Sequence, residues 1–334
     1  MTYARDAHRG PDQPDRLDPA PAGIRWRLPG RAWVAVPLAV AGVLWLAQPP
    51  SQATGPATRP DAGSAAQPLA KVRIEVARPI REEDKKTARM TVRKDGRTVY
   101  RGWIGIEGHG QSTRRFPKRS WSIELRDSAG DNRDESLLGM PADDDWVLYA
   151  AYNEKTLMRN VIAYQTARQM GRYASRTRFV EVTLNGRYHG VYVLTEKLKL
   201  HGDRVDLPEP AQLLEWTSWN QSKTKGRDVR LPASVVPVVF EDPDRDEMRR
   251  ERREKVRRSI SAADRALYSP AFTDPAAGWR RHIDEPSAVD FALTSELFKN
   301  QDAFYASTYL AWGRVAAGRS GRSGTSTLPW ATTA

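Results

Sequence analysis

Apolar and polar side chains alternate one by one through KVRIEVA (71–77), the pattern of a strand with one buried face. The same period runs through RMTVRKDGRTVYRGWIGIEG (89–108), where Asp95-Gly96 interrupts it as a two-residue hairpin turn. RSWSIELRD (119–127) predicts another strand, and RFVEVTLNGRYHGVYVLTEK (178–197) a hairpin turning at Asn185-Gly186. Between them the period changes. EKTLMRNVIAYQTARQMG (154–171) places Leu157, Ile162, Ala163 and Ala167 near helical spacing and stops at Gly171, a suitable C-cap. Further on, AQLLEW (211–216) and ASVVPVVFED (233–242) predict strands. RDEMRRERREKVRRSISAADRALY (245–268) predicts a charged helix and PSAVDFALTSELFKNQDAFY (286–305) an apolar one. No repeat occurs at solenoid periods. The class is α+β, with strands outnumbering helices.

The chain before residue 70 has a different texture. Residues 1–31 are rich in Pro, Asp and Arg and read as a disordered cytoplasmic segment. AWVAVPLAVAGVLWLA (32–47) is a 16-residue uncharged run with Arg25, Arg27 and Arg31 ahead of it and Trp33 and Trp45 near its ends. That pattern predicts a membrane anchor over 32–48, with the chain beyond it outside the cytoplasm; cleavage near Ala53 and secretion is the alternative. Residues 49–69 form a Pro/Ala/Ser linker, 70–310 the globular domain, and 311–334 an aberrant or disordered tail.

A net charge of +12 and a pI near 9.9 point to anionic partners, yet the excess is spread along the chain and makes no nucleic-acid footprint by itself. The basic run at 249–258 reads as a solvated helix face. The chain has no Cys, which excludes disulfides, thiolate metal sites and a Cys nucleophile. Its 5 His show no His-Glu-x-x-His spacing, which argues against a zinc enzyme.

Candidate chemistry gathers in GHGQSTRRFPKRSWSIEL (108–125). Backbone N–H groups around Gly108 and Gly110, with Gln111, Ser112 and Thr113, are candidate donors to phosphate oxygens. Lys118 is the candidate cation, although Arg114, Arg115 and Arg119 stand beside it. Gly-x-Gly without a third glycine is weak, and alone it reads as a strand-joining turn. Glu154 either holds Lys118 or complements the start of the 154–171 helix. Arg159 is a candidate for phosphate or carboxylate contact. Glu196 marks a hinge, or pairs with Lys197 or Lys199. Strands, glycine turn, strand with Lys, helix, then hairpin is the order of a protein-kinase N-lobe.

GHGQSTRRFPKRSWSIEL, DDDWVLYAAYNEKTLMRNVIAYQTARQMG, VEVTLNGRYHGVYVLTEKLKLHGDRVDL, QLLEW and AVDFALTSELFKNQDAFYASTYL, in this order over about 72–310, resemble the CotH kinase family. The resemblance implies an atypical protein-kinase-like fold of two lobes, an antiparallel-sheet N-lobe and a mostly helical, here incomplete, C-lobe. It implies binding of ATP and Mg²⁺ and phosphorylation of Ser or Thr in a surface or coat protein. By position it makes Lys118 the nucleotide-phosphate lysine and Asp302 the catalytic-loop aspartate that orients the acceptor hydroxyl. A kinase places a metal-ligand Asn five residues on; this chain has Ser307.

The resemblance also implies a Trp-Asp-Phe-Asp segment whose carboxylates grip Mg²⁺, but no Asp or Glu follows Asp302. No metal ligand is assigned for that reason. Codons permitted for residues 321–334, read with each third base joined to the next two, spell Pro-Val-Trp-Asp-Phe-Asp-Leu-Ala-Met-Gly-Asn-Asp-Gly. The expectation is an out-of-frame tail, with the shift between about Leu310 and Gly321, and helix 286–299 left without packing partners. The nucleotide sequence beyond codon 310 is expected to contain those bases; codons incompatible with that frame would refute it. A non-catalytic adhesion or structural module of the same fold is the alternative, and a nucleic-acid binder rests on charge alone.

Overall fold

The computed structural model describes residues 68–81, 84–110, 112–218, 228–314 and 323–327. The expected segments 1–31 and 32–48 lie outside these residues, as does Gln111. No helix among the described residues is long and apolar enough to cross a membrane.

Seven strands close into a barrel. They are β1 (Ala70–Val76), β2 (Lys86–Lys94), β3 (Arg97–His109), β4 (Ser120–Arg126), β5 (Asp145–Tyr149), β6 (Thr177–Leu184) and β7 (Arg187–Glu196), in the order β1-β2-β3-β4-β5-β7-β6. Alternation decides which side chains go inside. In β1, Ala70, Val72, Ile74 and Val76 are buried while Lys71, Arg73 and Glu75 face out. Ile104, Ile106, Trp121, Ile123, Leu125, Trp146, Leu148, Val180, Val182, Tyr192 and Leu194 complete the interior. Both hairpin turns fall where the pattern put them. Asp95-Gly96 (φ 50° and 75°) and Asn185-Gly186 (φ 48° and 78°) are left-handed at both positions, as a primed two-residue turn requires.

Two features differ from the sequence reading. An antiparallel N-lobe sheet was the expectation, but β1 also pairs in parallel with β6, Val72 opposite Val182, and this one parallel seam shuts the barrel. β5 was not foreseen as a strand. Its Trp146 and Leu148 point into the barrel, while Val147 and Tyr149 pack outward with Val193, Leu157 and Val161. A strand buried on both faces shows no alternation.

Helix α1 (Arg159–Gln169) lies over that outer surface. It starts five residues later than the apolar spacing suggested and buries Ala163, Tyr164 and Ala167, whereas Ile162 is exposed. Gly171, at φ 78°, follows its C-cap.

The remaining chain was expected to be a mostly helical lobe with strands at 211–216 and 233–242. Both strands form, and with three unforeseen ones they build a five-stranded sheet of β8 (Gln212–Trp216), β9 (Val229–Arg230), β10 (Pro237–Asp242), β11 (Thr308–Arg314) and β12 (Ser323–Thr327), in the order β12-β11-β8-β10-β9. Helix α2 (Arg250–Leu267) packs Val256 and Ile260 onto Leu214, Val238 and Phe240. Helix α3 (Glu285–Leu297) starts at Asp284, whose carboxylate accepts from the Ser287 N–H at 3.1 Å. Its buried side leans toward α1 through the Arg172–Asp290 ion pair at 2.7 Å. Its other side leaves Val289, Leu293 and Leu297, one helical stripe, exposed at 47%, 60% and 67%.

Candidate functional site

Lys118 sits in the loop that joins β3 to β4, at one end of the barrel. It lies before the strand rather than in it. Its Nζ donates to the Val191 carbonyl and stands 4.4 Å from the centre of the Tyr192 ring. Tyr192 stacks on Trp121 at 5.1 Å, and Trp121 meets His189 edge-on at 5.5 Å. Half-burial holds the Lys118 ammonium below its ordinary pKa. Burial also lowers His189, helped by the nearby charges of Arg187 and Lys118. An ammonium offers three donors, so one carbonyl and one ring face leave it capacity for an anion.

The glycine turn belongs to the same barrel end. Gly108 pairs with Trp121 across β3 and β4, and its N–H is committed to the Arg81 carbonyl at 2.9 Å. Gly108 is therefore a sheet residue, and its N–H is not turned toward a ligand. Gly110 is the true turn residue, at φ +86°, and a Cβ there would come within 2.3 Å of Thr113 Oγ1. That hydroxyl is buried with no hydrogen-bond partner among the described residues. Ser112 opens a single 3₁₀ turn, Ser112–Arg115, that carries the chain toward Lys118.

The two glutamate candidates do other work. The Glu154 carboxylate accepts from the N–H groups of Thr156, Met158 and Arg159 at 3.0, 2.9 and 3.2 Å, and from the Thr156 hydroxyl at 2.8 Å. Of its two readings, the helix-terminal one is what the geometry displays. The hydrogen bonds outweigh the slight burial and hold its carboxyl below the usual range. Arg159 begins α1 with an exposed side chain. Glu196 is buried at the end of β7, where it accepts from Arg176 N–H at 2.7 Å, Arg176 Nη1 at 2.8 Å and the Tyr173 hydroxyl at 3.3 Å. It does not pair with Lys197 or Lys199, because those cations turn to another cluster.

That cluster was missed in the sequence. Asp143, Asp144 and Asp145 lead into β5. Lys199 reaches all three at 2.9, 2.8 and 3.4 Å, Arg204 reaches Asp143 at 3.0 Å, and Lys197 reaches Asp145 at 3.3 Å. Burial pushes Asp143 up, whereas bonds to Lys199 overcome burial and hold Asp144 down. The Asp-Asp-Asp run and the later Lys-x-Lys were visible, but 50-odd residues separate them, and only the β5–β7 pairing brings them together.

Asp302 lies just past α3. Its carbonyl accepts from the N–H groups of Tyr305 and Ala306 at 3.0 and 2.9 Å, and burial alone pushes its carboxyl up. Phe298, four residues earlier, packs on the α1 cluster. No hydrogen bond or ion pair joins Asp302 to Lys118.

The residues present differ in how well they suit the cofactors that the sequence reading implied. Lys118 with its spare donors, and the orphaned Thr113 hydroxyl beside the Gly110 turn, suit a phosphate. A divalent cation is poorly served. The carboxylates within common ligand distance among the described residues are Asp134, Asp143 and Asp144, and Lys199 and Arg204 already neutralise that group. It is better read as a structural ion network.

A closed β-barrel with a half-buried lysine at its end, continued by a sheet-and-helix unit, defines an α+β protein with an anion-suited loop. The family model described as CotH kinase protein matches residues 106–330, more than half of the chain, and the chain belongs to that family. No curated protein matches it.

Proposed function

We propose that this chain derives from ATP-dependent protein kinases of the CotH type, with the barrel and the sheet-and-helix unit serving as two lobes. Lys118, Gly110 and Thr113 hold the nucleotide phosphates, and Asp302 orients the hydroxyl of a Ser or Thr in a surface or coat protein. ATP, when bound, supplies the phosphoryl group. The acceptor is a protein rather than a nucleic acid. The chain is held to a membrane by residues 32–48, with the domain outside the cytoplasm. The half-buried Lys118 ammonium, carried by the same β3–β4 connection as the Gly110 turn, is the observation that supports this reading most.

Little phosphate transfer is expected, since Mg²⁺ is central to charge neutralisation in this chemistry and the carboxylate cluster of Asp134, Asp143 and Asp144 is already neutralised by Lys199 and Arg204. Thermal unfolding with and without ATP tests the binding half of the proposal. ATP at about 100 times its Kd stabilises the chain by about 2.7 kcal/mol, and Lys118→Ala abolishes the shift. An unchanged shift in the variant would remove Lys118 from the site. Robust phosphotransfer by the purified chain would overturn the inactivity.

A non-catalytic surface module of the same fold is the second reading. Two candidate residues, Gly108 and Glu154, are committed to structural hydrogen bonds, and this favours it. No ATP stabilisation at any concentration is its signature.

A further inference from the structure

The outer surface of β1, β2 and β3 has a charge pattern that no part of the kinase reading uses. Lys71 and Arg73 on β1, Arg89 and Arg93 on β2, and Arg101 on β3 all point away from the core and are exposed. Strand register sets Lys71 directly opposite Arg93, and Lys94 directly opposite Arg97 beside the turn. Like charges facing each other across a ladder cost stability. Relief within the fold is small. Glu75 faces Arg89 and contacts Arg73 at 3.8 Å, and Glu181 stands beside Lys71. Trp103 lies on the same face with the Arg89 guanidinium 3.9 Å above its ring, and Val99, farther along β3, is exposed.

Where this face sits in the chain matters. β1 is the first strand after the 49–69 linker, which comes after the apolar run at 32–48. Twenty-one residues, 49–69, separate that run from β1 in the sequence. Whichever strand face is drawn to the surface at the far end of the linker meets it at high effective concentration.

We propose that the outer face of β1–β2–β3 docks flat on a bilayer carrying anionic phospholipid headgroups. The opposed cations supply the attraction, and Trp103 sits at the interface level where its ring and N–H are both accommodated. A sheet face with one tryptophan suits a planar anionic surface better than a single-stranded nucleic acid, which calls for a groove and successive stacking rings. This inference rests on the membrane reading of residues 32–48, and its test separates the two.

The full chain is mixed with phosphatidylcholine vesicles, with or without phosphatidylglycerol. Flotation reports association, and labelling of Lys71 and Lys94 by an amine reagent, read by mass spectrometry, reports the docked face. Exposed Lys299 is the internal control. Labelling of Lys71 and Lys94 is expected to slow several-fold only with phosphatidylglycerol, and to recover in high salt. Arg93→Gln and Arg101→Gln each weaken the anionic-lipid effect by about fivefold at low salt. Flotation with both vesicle types but equal labelling in each overturns the docked face and leaves the anchor standing. Flotation with anionic vesicles alone, with protection, supports the face and refutes the anchor. Protection by a single-stranded oligonucleotide but not by anionic vesicles overturns the proposal in favour of nucleic acid.

Discussion

Trp146→Ala is expected to destabilise the protein by about 4 kcal/mol, a large part of the stability of an ordinary domain. Trp146 is fully buried in the barrel. Its ring fills the interior, where β5 pairs with Ile123 of β4 on one side and Glu196 of β7 on the other. Its indole N–H donates to the Asp143 carbonyl at 2.9 Å, so truncation opens a cavity and also leaves that carbonyl with only the Glu135 N–H, at 3.3 Å. A barrel cannot shrink around such a gap without disturbing the pairing on both sides of β5. Chemical denaturation of the wild type and the variant measures the cost. A loss under about 1 kcal/mol would contradict a closed, packed interior.

Glu196→Ala is the second large effect, expected at about 3 kcal/mol. The carboxylate collects the Arg176 N–H, the Arg176 guanidinium and the Tyr173 hydroxyl, and so fastens the end of β7 to the segment before β6. The Arg176 side chain is one-third exposed, which lets water compensate part of the loss and keeps the cost below that of a fully buried pair. Glu196→Gln retains one acceptor and is expected to fall between wild type and Ala. A hinge role predicts a different outcome: ATP affinity changes while the unfolding midpoint stays put. Measuring both quantities on the same variants decides between the structural anchor and the hinge.

These two residues also illustrate how far local sequence reaches. Glu196 stands out in the sequence, but the partners its neighbourhood suggests are Lys197 and Lys199. Its actual partners are 20 and 23 residues away. Trp146 lies in DDDWVLYAA, an apolar stretch without alternation, and period-2 reasoning has nothing to detect there. Glu154 is legible as a helix-terminal charge, because that role is local and needs only the next five residues. Lys118 is marked by its chemistry, yet the carbonyl and ring that hold it come from β7, 73 and 74 residues on.

The sequence by itself determined the local elements of this protein: the two Asx-Gly hairpins, the alternation that sorts β1 to β4 into inner and outer faces, α1 with its glycine stop, and the family to which the ordered motifs belong. Each depends on backbone preferences and side-chain periods within a few residues. Only the tertiary structure decided that the strands close through a parallel β1–β6 seam, and that the two strands foreseen in the later chain join three others in one sheet. It alone gathered three aspartates around Lys199 and set cations facing one another across β1, β2 and β3. Strand register and long-range pairing arise from how whole faces bury against each other. No window of neighbouring residues contains that information.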